Sequence, residues 1–152
     1  MGRRDELLRA EAEGWEELNE LLARLAPLEL EAPGATPDGW SVKDLLWHVA
    51  YWCAEAERAL GQIRAGTFDA AAQPEGAGRI DAINDAQLKR SRGMALDEVL
   101  DEWHRARAGM LERSGELPDL TAEADAWLDE SGPLHYAEHL PELRAWVVAG
   151  GA

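Results

Sequence analysis

The chain has 152 residues, with 15 Lys and Arg against 30 Asp and Glu, a formal charge of -15 and one cysteine. That length makes one domain, residues 1–152, able to bury a core without disulfides or a structural metal. The charge repels phosphate backbones and anionic headgroups, which argues against nucleic-acid and membrane partners. No apolar run reaches the ~18 residues of a membrane span, and the N-terminus lacks a signal peptide's apolar core, so a cytoplasmic location is expected.

In chain order the pattern is helical almost throughout. Leu8, Trp15, Leu18, Leu22 and Leu25 recur at helical spacing and predict a helix over residues 3–26, closed by Pro27. Its acid-rich stretch EAEGWEELNE, residues 11–20, reads as a solvated face. Residues 27–39, PLELEAPGATPDG, read as a loop. Ser41 and Asp44 then form an S-x-x-D capping box, and Trp40 and Leu45 occupy the positions of a hydrophobic staple; together they predict a helix over residues 42–65. Cys53, inside that apolar helix, reads as a small buried hydrophobe. The linker GTFDAAAQPEGAG is long enough to cross the end of a bundle. A third helical region starts near Arg79, breaks at Gly93 and continues through Leu96, Leu100, Trp103 and Met110 to the sequence LPD. LTAEADAWLDE, residues 120–130, reads as irregular with at most a short helical turn. Pro133, suited to a first turn, opens the last helix, which runs to about residue 149. The pattern predicts an all-α fold of four long helices, with one long crossover between the second and the third.

At about 100° per residue, His48 falls at the edge of the Val42, Leu45, Val49 and Ala56 stripe, near Trp52 and Glu55. In the last helix His135 and His139, at i and i+4, lie together at the edge of the Tyr136, Leu140 and Leu143 stripe, followed by Glu142 and Trp146. Both sets border the core, where a pocket walled by Trp52 and Trp146 is expected. The i, i+4 pair has the geometry of a helix that donates two ligands to zinc or a similar ion, and a third histidine from a facing helix would complete the set. A lone histidine at a core edge is more often a packing residue, and this remains the competing reading of His48. His104 points away from its apolar stripe and reads as surface. HYAEH also fits H-x-x-E-H, with Glu138 projecting beside the pair. The chain is short for a peptidase of that type and has no peptide-binding strand.

GWSVKDLLWHVAYW, IDAINDAQLKRSRGMALDEVLDEW with its Asn84, and HYAEHLPELRAW resemble the corresponding segments of the DinB/YfiT-like superfamily, in particular its ClbS/DfsB-type branch, over residues 15–148. The resemblance implies a four-helix bundle in up-down-down-up order, commonly a homodimer. It also implies a divalent metal held by His48, His135 and His139. The superfamily includes thiol-dependent transferases and isomerases and a resistance protein, so it leaves the reaction open. Residues 121–134 are compressed relative to the tryptophan-containing insert of that branch.

Three neutral imidazoles leave a divalent ion, Zn or Ni, its full charge and an open position. Two chemistries are accessible: hydrolysis, with Glu138 or Glu55 moving the proton, and transfer from a low-molecular-weight thiol to a small electrophile. The alternatives are a non-catalytic small-molecule binding or resistance protein, and a metal-free structural domain. Two expectations concern packing. Pro141, inside the last helix, should kink it or pack as a tolerated bend. Trp47 and Tyr51 lie far from the apolar stripe of their helix, so they should either form a homodimer interface or pack under the loop of residues 27–39.

Overall fold

A computed structural model describes residues 2–152, which form seven α-helices and one short 3-10 turn with no β-strand among the described residues. They are α1 (Arg3–Leu22), α2 (Pro27–Glu31), α3 (Val42–Ala65), α4 (Ala77–Arg92), α5 (Leu96–Glu116), α6 (Ala122–Ser131) and α7 (Pro133–Val148), and the 3-10 turn spans Ala70–Ala72 in the linker between α3 and α4. No helix is long and apolar enough to cross a membrane.

The capping box at the start of α3 forms as the sequence requires. Asp44 N–H donates to Ser41 Oγ at 3.1 Å and Ser41 N–H to Asp44 Oδ2 at 3.0 Å, so two of the helix's free amide groups are satisfied. Ser91 Oγ donates to the other carboxylate oxygen, Oδ1, at 2.6 Å, and this ties the cap to the end of α4. α3 is the central element, packed against α2, α4, α5, α6 and α7, and residues 42–50 are all buried. A helix covered on every side no longer has one apolar stripe.

That central position corrects the reading of Trp47. Its ring is 7 % exposed, its Nε1–H donates to Gln87 Oε1 at 3.0 Å, and the Arg90 guanidinium stands 5.3 Å from the ring centroid. α4 covers it, rather than a partner subunit or the loop of residues 27–39. That loop also contains α2, started by Pro27 at a helix N-terminus and capped at that same end by the Glu29 side chain, which accepts from Ala26 N–H at 2.8 Å. Residues 120–130, read as irregular, are largely α6: Thr121 caps it by accepting from Ala124 N–H at 3.2 Å, and Ala124 and Leu128 fill the core. The break at Gly93 is present, between α4 and α5.

Two glycines let helices approach closely around the site. A Cβ on Gly14 of α1 would meet the Tyr136 ring at 3.0 Å, and one on Gly132 would stand 2.9 Å from the Leu128 carbonyl oxygen. Gly132 therefore permits α6 to turn directly into α7. Glu11, within the stretch expected to be solvated, is instead 1 % exposed and pinned by Arg107, whose Nε donates at 2.8 Å and Nη2 at 2.6 Å, and by Tyr136 Oη at 2.8 Å.

Candidate metal centre and adjoining cavity

α3 brings His48 to the face of α7 that carries His135 and His139. The ligand nitrogens of the three residues lie within 4.8 Å of one another. Ring centroids are separated by 4.7 Å for His48 and His135, 4.8 Å for His135 and His139, and 5.2 Å for His48 and His139. His48 Nε2 and His135 Nε2 are 2.9 Å apart, the distance of one N–H···N bond between neutral rings. Burial keeps them neutral. It lowers His48 to about 4, with His139 adding to the effect, and it holds His135 well below 6.5, with His48 and His139 adding and the Ser131 backbone opposing.

His139 completes the set from the next turn of α7. Its Nδ1 lies 3.2 Å from Glu142 Oε2, and its buried Nε2 has no hydrogen-bond partner. His135 Nδ1 is also buried and makes no hydrogen bond of good geometry. A carboxylate on Nδ1 fixes the ring and leaves the Nε2 lone pair free, as in metal-bound histidines. An unpartnered buried nitrogen beside two further neutral imidazoles suits a borderline divalent ion. The three histidines could therefore hold a metal ion. The sequence pattern pointed to the histidines. Glu142 was visible only as a neighbour, because its role depends on a rotamer.

Beside the histidines lies a cavity of about 420 Å³. His48, His135 and Ser131 form its buried end; Trp52, Trp127 and Ile80 line its walls. Trp52 is held by its Nε1–H donating to Asn84 Oδ1 at 2.9 Å. Trp127 escaped sequence reasoning because α6 did. Glu138 lines the same cavity and is exposed.

Two expected site residues are elsewhere. Glu55 accepts from Arg58 Nη2 at 2.8 Å and Nε at 3.1 Å and faces the next cleft, with Tyr51 and Arg79, across Pro74. It lies just under one helical turn past Trp52 and does not line the cavity. Trp146 is 6 % exposed and donates to the Glu29 carbonyl at 3.0 Å, so it anchors α2 and does not line this cavity. Cys53 is buried, as expected, with its thiol 3.6 Å from the Ser131 carbonyl and pushed up to about 12, chiefly by burial. His104 is exposed, as expected.

Residues 12–147 match the mycothiol maleylpyruvate isomerase N-terminal domain family. The chain belongs to this family. It is an all-helical family of DinB/YfiT-like type with metal-binding potential, so the resemblance read from the sequence holds at the level of the superfamily. No curated protein and no solved structure matches the chain.

Proposed function

We propose that the chain is a divalent-metal enzyme in which His48, His135 and His139 hold Zn or Ni and a low-molecular-weight thiol attacks a small electrophile bound in the adjoining cavity. The observation that carries this reading is the convergence of three imidazoles, two of them kept neutral by burial, with His48 and His135 also lining the buried end of a ligand-sized cavity. When bound, such an ion supplies Lewis acidity and favours the deprotonated form of a thiol or water. The chain offers no reactive thiol of its own there, since the Cys53 thiol is buried and resists deprotonation. A thiol nucleophile would therefore come from solution, and the family's name, which pairs a thiol with an isomerisation, supports one.

In this scheme His48 and His135 present lone pairs without proton competition at neutral pH, and Glu142 orients His139. Trp52, set by Asn84, and Trp127 flank an apolar substrate body. Glu138 receives the proton released by the nucleophile. Hydrolysis is the second reading, favoured by the same exposed carboxylate, and the remaining one is a binding or resistance protein that uses the cavity without turnover. We further read α1, α3, α5 and α7 as the up-down-down-up four-helix bundle of ClbS/DfsB-type proteins, working as a homodimer.

Equilibrium dialysis against Zn or Ni should give about one ion per chain, and His135→Ala should weaken it by about a hundredfold or more while the far-ultraviolet circular dichroism stays helical. No stoichiometric ion, or an ion retained at full affinity by His135→Ala, would overturn the site. Turnover of an activated aryl halide only with added thiol supports transfer. Turnover without thiol supports hydrolysis, and binding without turnover supports the non-catalytic reading.

A further inference from the structure

We infer that the cavity beside the three histidines selects a ligand with a flat apolar body and a cationic outer end, such as an aryl-alkyl amine, and disfavours carboxylates. The inference rests on the reading of this cavity as the ligand site, and goes beyond it by naming the ligand's charge and orientation.

The cavity is polarised along its depth. At the inner end stand His48 and His135, both buried. The middle is aromatic and aliphatic, with Trp52 on α3 and Trp127 on α6. The exposed end carries two carboxylates, Glu130 on α6 and Glu138 on α7. None of the described residues that line it is Lys or Arg; Arg58 and Arg79 line the neighbouring cleft instead, and Arg58 is already bound to Glu55. A volume of about 420 Å³ falls within the range of small-ligand sites. Indole faces attract cations as well as apolar groups, so walls and rim favour the same sign of charge. A carboxylate at the outer end would face two like charges with no cation to offset them.

The test uses three probes of one skeleton, naphthylethylamine, naphthylethanol and naphthylacetate, titrated calorimetrically into chelator-treated protein so that no metal contributes. The amine should bind about tenfold more tightly than the alcohol, and the acetate more weakly than either. The Glu130→Gln, Glu138→Gln double variant should bring amine and alcohol to within about twofold, leaving the alcohol's affinity unchanged. Glu20→Gln with Asp101→Asn, which removes two exposed carboxylates elsewhere, should leave the tenfold ratio intact, and this separates a local effect from the overall acidity of the chain. Equal binding of amine and alcohol, tight binding of the acetate, or a preference that survives the double variant would each overturn the inference. Alcohol binding that is lost in Trp127→Ala shows that the cavity is the ligand site even if the charge preference fails. If no probe binds, the cavity reading falls and the inference with it, whereas the metal site stands or falls separately on the dialysis result.

Discussion

At the scale of single residues, the site depends on holding imidazoles neutral where the unfolded chain would let them charge. An unperturbed histidine titrates near 6.5; in the fold His48 is lowered to about 4 and His135 also lies well below its ordinary value, both mainly through burial. Between those values the unfolded chain binds protons that the native state does not, so stability is complete above about pH 6.5 and falls as the pH drops toward 4. For His48 alone the loss at pH 5 is about 2 kcal/mol. The urea midpoint of chelator-treated protein should thus be lower at pH 5 than at pH 7.5, and His48→Gln should show a smaller difference. An identical pH dependence in the variant would mean that the His48 ring is solvated. Glu142 acts at the same scale. Glu142→Gln keeps the side chain's shape but replaces a charged partner of His139 Nδ1 with a neutral one, and should weaken Zn by about tenfold with little change in unfolding midpoint. A drop in both together would assign Glu142 to the fold instead.

At the scale of elements, α3 and α7 were the most legible, because each combines strong punctuation with a long apolar period: a capping box for α3, and Pro133 at the start of α7. The histidine pair could be read because both residues belong to one helix, where spacing alone fixes relative direction. α6 could not be read in the same way. It is ten residues long, and its core contacts come from Ala124 and Leu128, too few to make a period. Trp127, a cavity wall, was lost with it. Pro141 was legible as an oddity, but its consequence was not: α7 continues through it as one helix, and the residue is exposed. A proline there still removes one backbone donor and crowds the carbonyl of Ala137, between the two histidines. Pro141→Ala should raise unfolding stability by about 1–3 kcal/mol. If the proline also sets the approach of His135 and His139, the same variant changes Zn affinity by more than about threefold; an unchanged affinity makes it a tolerated bend.

At the scale of the whole molecule, what the sequence hid was which charged and aromatic residues the packing would enclose. Trp47 sits opposite the Val49 and Ala56 stripe, and the return of α4 across α3 buries it, so the proposed homodimer would need a surface other than this ring. Light scattering of the native chain at micromolar concentration measures that state directly, whereas Trp47→Glu would place a charge in the core. Glu11 is the converse case. Neighbouring acids in residues 11–20 face solvent, but Glu11 turns inward, where α1, α5 and α7 meet, and is closed over by Arg107 and Tyr136. Arg107 in turn lies 4.6 Å from the Trp15 ring centroid, which covers its outer side. Two oppositely charged groups removed from water gain little net stability as a pair, but each is costly to leave alone. Arg107→Ala should therefore destabilise the chain by about 3 kcal/mol, and Tyr136→Phe, which removes one charge-assisted hydrogen bond, by about 1–2 kcal/mol. Adding Glu11→Gln to Arg107→Ala removes the stranded charge and should recover part of the loss, so the double variant will be more stable than Arg107→Ala alone. Urea unfolding of the three variants and the double variant decides it. Strictly additive losses from Arg107→Ala and Glu11→Gln would show that the two groups are not coupled.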